Sequence, residues 1–211
     1  MITLGLLWIA WCAMHSLLIS TVFLDLLQRR ARWLLRYHRL LYNGVSLITI
    51  LPLVLLTRQV APEVVFSWGG PALLLRALLL FSALALFLGG AKRYELDIFL
   101  GLRQLHSGDA HQLLSERVEF TTEGVFGMTR HPWYFGSLLF LWSVFPAYSA
   151  GVLLAVVILS GYLIVGTWLE EKKILARHGK AYRRYRAQVS MFFPWRWLLR
   201  KWSERVNLGK P

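Results

Sequence analysis

The chain has 211 residues, 56% of them hydrophobic, yet it carries 24 lysines and arginines against 11 aspartates and glutamates, a formal charge of +13. A soluble domain combines that much apolar surface with so lopsided a charge only if the two are segregated along the chain. Here long apolar runs alternate with short arginine-rich ones, the pattern of a single all-α membrane domain rather than of a nucleic-acid binder, whose basic residues would be spread over a polar fold.

The first apolar run, Ile2 to Leu24, is long enough at 1.5 Å per residue to cross a hydrocarbon core of about 30 Å. It lacks the basic start and small-residue cleavage site of a signal peptide, so a membrane helix is expected. Cys12, the single cysteine, lies inside this run and is read as a packing residue. A basic stretch with Arg29, Arg30, Arg32, Arg36, His38 and Arg39 leads to a second span, Leu40 to Leu56. The next link, Thr57 to Pro71, contains only Arg58 and Glu63 as charges and is broken by Pro62, Gly69, Gly70 and Pro71, which predicts an outside loop. A third span follows from Pro71 to Gly90, with Arg76 near its outer end, where its side chain can snorkel.

Residues 92–131 are polar, with an amphipathic stretch over Tyr94 to Leu105 suited to a membrane surface. The apolar segment Trp133 to Leu169 is too short for two full spans and too long for one. It predicts a tight hairpin of one short and one full helix, turning at Pro146, Ser149 and Gly151. Beyond Glu170 the tail holds twelve lysines and arginines. The positive-inside rule then gives about five transmembrane helices, with the N-terminus outside and a cytoplasmic C-terminal tail, in a membrane expected to be the bacterial inner membrane. The expected layout is three N-terminal spans over 1–91, a cytoplasmic link over 92–131, a helical hairpin and tail bearing the site over 132–194, and a basic end over 195–211.

Chemistry is expected where polar residues cluster at the ends of these helices. Arg130 and His131 precede Pro132 at the mouth of the short helix, a place that favours an anion such as a carboxylate. Glu170 and Glu171 close the last apolar helix, followed by Gly179, Tyr182, Tyr185, Val189 and Pro194. The hairpin brings the two clusters together. An anion-binding pair, two carboxylates and aromatic walls suit a ligand with a carboxylate, an ammonium and a further positive centre. S-adenosylmethionine is such a ligand.

These residues resemble the membrane methyltransferases that include isoprenylcysteine carboxyl methyltransferase and related phospholipid and thiol methyltransferases. The resemblance rests on Arg130-His131-Pro132-x-Tyr134-x-Gly136, then Glu170-Glu171, then the spacing of Gly179, Tyr182, Tyr185, Val189 and Pro194. It covers about the C-terminal ninety residues. Upstream, His15-Ser16 and Arg39-x-x-Tyr42-Asn43 look like the bacterial NnrU-type branch. Asp97-x-x-Leu100-Gly101-Leu102-Arg103-Gln104 is similar to a stretch of methanethiol S-methyltransferase-like proteins.

The resemblance implies a cofactor pocket for S-adenosylmethionine, with Arg130 and His131 on its methionyl part and Glu170 and Glu171 on its amine or ribose. Tyr134, Tyr182 and Tyr185 would surround the adenosyl group, and Gly136 completes the motif. Arg130 and Arg103 are the candidate catalytic residues, Arg130 by lowering the pKa of a thiol and Arg103 by orienting the acceptor. The acceptor is a lipophilic or small thiol or carboxylate. No metal and no nucleic acid are expected, and the acceptor's identity and the oligomeric state stay open.

Blander readings exist for each feature. Arg130 and His131 also suit interface anchors, Glu170 and Glu171 suit solvated charges opposite Lys172 and Lys173, and Tyr182 and Tyr185 suit an aromatic belt. His15 is expected to make an interhelical hydrogen bond. His106, Asp109 and His111 match no metal-ligand spacing and read as loop residues. Two other functional classes fit parts of the pattern: an NADPH-dependent reductase-like module, and a non-catalytic membrane protein, either a haem or quinone binder using His15 and His38 or, as the NnrU-type resemblance implies, a helper subunit in nitrogen-oxide metabolism.

Overall fold

A computed structural model describes residues 1–92, 100–102, 120 and 122–208. The amphipathic stretch expected over Tyr94 to Leu105 falls almost wholly outside them, as do Arg103, His106, Asp109 and His111. The described residues are all-α apart from one two-stranded pair, and they form two compact units. One unit contains Met1–Gly70, residues 100–102 and Phe145–Tyr162; the other contains residues 71–92, 120, 122–144 and 163–208.

In the first unit, helix α1 (Ile2–Leu18) packs on α3 (His38–Gln59). Their core is Leu4, Trp8 and Leu53, joined by Ala155. Tryptophans fit this apolar setting because their indole N–H groups find partners. Trp8 donates to Thr57 Oγ1 at 2.9 Å and Trp11 to Thr49 Oγ1 at 3.0 Å. His15 bonds across to α3, its Nδ1 lying 2.9 Å from Ser46 Oγ and its Nε2 meeting the Tyr42 hydroxyl, with Trp11 stacked on the ring. This is the interhelical hydrogen bond expected of it. His38 Nε2 meets the Leu18 carbonyl at 2.7 Å.

The continuous span expected over Ile2 to Leu24 is instead broken. Helix α1 stops at Leu18, and α2 (Thr21–Arg30) departs from it at 56°. Ser20 is the cause: its hydroxyl donates to the Leu17 carbonyl at 2.7 Å and accepts from the Phe23 N–H at 3.2 Å, ending one helix and starting the next. A 3₁₀ turn (Arg32–Tyr37) then runs into α3, which carries Pro52 in its interior.

The loop after α3 holds a strand that the turn residues around it concealed. Strand β1 (Val64–Ser67) pairs antiparallel with β2 (Ala147–Ser149), with Phe66 opposite Tyr148. Helix α6 (Ala150–Gln188) starts directly after β2. A Cβ on Gly151 would lie 2.5 Å from the Val60 carbonyl oxygen and 2.7 Å from that of Thr57, so glycine is what lets this first turn reach the end of α3.

In the second unit, α4 (Ala72–Ala91) packs on α5 (Pro132–Leu141) through glycines on both sides. Gly90 receives the Trp133 ring, whose Nε1 donates to the Phe87 carbonyl at 3.1 Å. Gly136 lies against Phe87 and the Ala83 carbonyl. Arg76, expected to snorkel, donates instead to the carbonyls of Ser143 and Val144 at 2.8 and 3.0 Å, satisfying the end of the α5 segment.

With 10 residues, α5 is about 15 Å long and is the short helix of the expected pair. The 39 residues of α6 continue well past its apolar part as two helical segments that meet at a kink at Gly179, where φ is 47°. The tail after Glu170 is therefore helical, and a separate helix α7 (Trp195–Leu208) follows. Among the described residues three helical segments are long and apolar enough to cross a membrane, or four if the bent α1–α2 pair is one span, against the five expected.

Candidate active site

The site lies within the second unit and begins with a strap. Gly127 ends a 3₁₀ turn (Gly124–Gly127) where an added Cβ would sit 2.0 Å from the Thr122 carbonyl oxygen, so only glycine fits. Thr129 bridges Ser190 in parallel, the Arg130 N–H donates to the Ser190 carbonyl at 2.9 Å, and Thr129 Oγ1 donates to the Met191 carbonyl at 2.7 Å. These bonds fix the residues before α5 against the residues after α6. Pro132 starts α5, where its missing N–H is no loss.

The strap aims Arg130 and His131 at one carboxylate. Arg130 Nη2 and Nε approach Glu171 Oε1 at 2.6 and 2.7 Å, and His131 Nε2 approaches the same oxygen at 3.2 Å. Arg186 Nε stands 3.7 Å from the other oxygen. The side chains of Arg130, His131 and Glu171 are 7%, 5% and 5% exposed, whereas that of Arg186 is 50% exposed. Arg130 Nη1 also donates to the carbonyls of Val189 and Arg186. Such a pair is costly to desolvate and is held by its geometry and extra hydrogen bonds.

Glu171, Ile174 and His178 share one face of α6 before the kink at Gly179, Tyr182 and Tyr185 share a face of the segment after it, and Val189 follows the end of the helix. Ile174, Tyr182, Tyr185 and Val189 form a buried cluster with Phe120 packed on it. The Phe120 ring lies 5.1 Å from His178, 5.3 Å from Tyr182 and 5.7 Å from Tyr185. Tyr185 donates to the Phe126 carbonyl at 2.8 Å. The Tyr182 hydroxyl senses the charges of Glu171 and Arg130, but no hydrogen bond of good geometry reaches it. His178 Nε2 is likewise buried and without a hydrogen-bond partner.

Of the residues predicted from sequence, Arg130, His131, Glu171, Tyr182 and Tyr185 come together, and Tyr134 joins edge-on to His131 at 5.7 Å. Glu170 stays out of the cluster, because one helical residue is a turn of about 100°. Gly136 serves the contact with α4. Arg103 lies outside the described residues. Sequence reasoning missed Thr129, His178, Arg186 and Phe120; the helical spacing from Glu171 through Ile174 to His178 was the available signal for His178, and Phe120 had none.

Fold and site together define an α-helical integral membrane protein whose C-terminal unit is organised around a buried arginine–glutamate–histidine cluster lined by aromatic rings. The chain belongs to the DUF1295 family, "Protein of unknown function", which matches residues 42–189. It is also similar to curated methanethiol S-methyltransferases, the branch its motifs resemble. Methanethiol S-methyltransferase 1 of Bradyrhizobium diazoefficiens is 38% identical over 77 residues, 36% of this chain and 27% of that protein. The Mycobacterium tuberculosis methanethiol S-methyltransferase is 35% identical over 95 residues, 45% of this chain and 38% of that protein. Methanethiol S-methyltransferase 2 of B. diazoefficiens is 32% identical over 111 residues, 53% and 42% of the two chains. The matched region thus spans less than half the length of these relatives. No solved structure matches the chain.

Proposed function

We propose that this protein is an S-adenosylmethionine-dependent membrane methyltransferase acting on a lipophilic or small thiol or carboxylate acceptor. The observation that carries the reading is the similarity to proteins named methanethiol S-methyltransferase. The site supports it, since a carboxylate, a half-exposed guanidinium and several ring faces suit a ligand bearing an ammonium, a sulfonium and a carboxylate.

When bound, S-adenosylmethionine supplies an electrophilic methyl carbon on a sulfonium that is already a good leaving group. The chain's own part is then to hold both reactants and exclude water. Arg130 and His131 hold Glu171 fixed beside the methionyl part, and Glu171 faces the amine or ribose. Tyr134, Tyr182 and Tyr185 enclose the adenosyl group. A thiol acceptor must lose its proton, which a cation beside it favours by stabilising the thiolate; that part falls to Arg103, since Arg130's guanidinium is committed to Glu171 and to backbone carbonyls. A carboxylate acceptor is already ionised and needs only orientation.

The setting that fits this chemistry is one membrane domain in a bacterial inner membrane, with the basic tail and the site in the cytoplasm and the N-terminus outside. The acceptor then enters from the bilayer and the cofactor from the cytosol. Calorimetry of S-adenosylmethionine and S-adenosylhomocysteine against the protein in nanodiscs tests the reading. Binding of both, with transfer of a labelled methyl group to methanethiol or a prenylcysteine, is the expected result; a folded sample that binds neither overturns it.

A further inference from the structure

The last helix, α7, is rooted where α4 and α5 leave the hydrocarbon. Trp133, at the start of α5, rests on Gly90, near the end of the spanning helix α4, so the mouth of α5 is level with that end. Arg130, just before α5, reaches both Glu171 and the Val189 carbonyl, although a straight helix would hold those two residues about 27 Å apart. The kink at Gly179 therefore brings the chain back to the mouth of α5. There the Phe192 ring lies 6.3 Å from that of Phe135, in the first turn of α5. Ser190 Oγ accepts the Arg196 N–H at 3.2 Å, and Arg196 Nη1 donates to the Arg186 carbonyl at 2.7 Å, which fixes the first turn of α7 at this level.

At about 100° per residue, Trp195, Leu198, Leu199, Trp202 and Val206 fall on one side of α7. All five are between 45% and 72% exposed, so no other part of the described chain covers this stripe. Arg196 and Arg205 flank it, Arg200 and Lys201 lie further round, and Glu204 is the one acid of the helix. We propose that α7 lies in the plane of the membrane surface, with this stripe in the acyl boundary and its cations on anionic lipid headgroups. Tryptophans suit the headgroup level, and a helix apolar on one face and basic on the rest suits the interface. The bilayer is already at the level of the helix's root, whereas a protein partner would have to bring carboxylates to match four cations. The basic end of the chain is thus a surface anchor rather than a free tail, and neither cofactor nor acceptor enters into it.

Spin-label accessibility in the full chain tests this. With the buried Cys12 replaced by alanine, a nitroxide is placed by Leu199→Cys or Val206→Cys on the stripe, or by Glu204→Cys opposite it. Nanodiscs are made of phosphatidylcholine alone or with phosphatidylglycerol. Labels at 199 and 206 are expected to collide with oxygen and to be shielded from a water-soluble nickel chelate, and the label at 204 to show the reverse. The shielding at 199 is expected to deepen with phosphatidylglycerol, because each cation at an anionic surface gains about fivefold in binding. Arg200→Gln, Lys201→Gln and Arg205→Gln together are expected to abolish that deepening. Equal nickel access at 199 and 204 overturns the placement. Shielding of 199 from oxygen and nickel alike also overturns it, since a protein surface or a second copy then covers the stripe. Identical shielding in the two lipid mixtures overturns the choice of anionic headgroups.

Discussion

Arg130 and Glu171, 41 positions apart in the sequence, form a buried ion pair 2.6 Å long that ties the entrance of α5 to the middle of α6. The pair is shared with His131 and closed by the Val189 carbonyl, so neither charge is free to leave without exposing the other.

Removing one partner of this pair is expected to destabilise the protein more than removing both. Arg130→Met or Glu171→Leu alone strands a buried charge and should cost about 3–5 kcal/mol, while the double variant recovers most of it. Thermal unfolding in detergent measures this, and a double variant no more stable than either single one would sink the account. The double variant should still fail to bind S-adenosylhomocysteine, which separates the fold from the site.

Two glycines should respond in opposite ways to alanine. Gly151→Ala drives a Cβ to 2.5 Å from a backbone oxygen that cannot give way, and should cost about 1–3 kcal/mol. Gly44, inside α3 with nothing within 4 Å, should gain up to about 1 kcal/mol from the same change. Equal melting temperatures for the two variants would contradict the packing described at Gly151.

Ser20→Ala removes the hydroxyl that ends α1 and caps α2, and should lower stability by about 1 kcal/mol. Hydrogen exchange should speed up first at the amides of the first turn of α2. Unchanged protection there would mean that the bend has another cause.

His15→Leu deletes bonds to Tyr42 and Ser46 between α1 and α3. Hydrogen bonds between membrane helices contribute about 0.6–2 kcal/mol, so a loss of that size in detergent unfolding is the expected outcome. A variant as stable as the parent would assign the histidine's place to packing alone.

The parts of the fold that were legible in the sequence are those with a local signature. Apolar runs of spanning length marked α3, α4 and α6, and the segment from Trp133 to Leu169, too short for two spans, gave the short helix α5. Ser20 was less legible, because a capping serine inside an apolar run looks the same as a tolerated one. The strand pair had no usable period at three and four residues, and it lay among the glycines and prolines that mark a loop. At the site, the sequence singled out Arg130, His131 and Glu171, but not that Arg130's guanidinium is committed to Glu171 and to backbone carbonyls.

The sequence alone determined that this is a helical membrane protein with a basic tail, because hydrocarbon demands long apolar runs whose backbone bonds close within each helix. Only the tertiary structure decided which groups meet. The strap from Thr129 to Ser190, the three-way contact on Glu171 and the position of Phe120 beside His178 and Tyr182 join residues some 40 to 65 positions apart, where no local periodicity reaches and only packing fixes the partner.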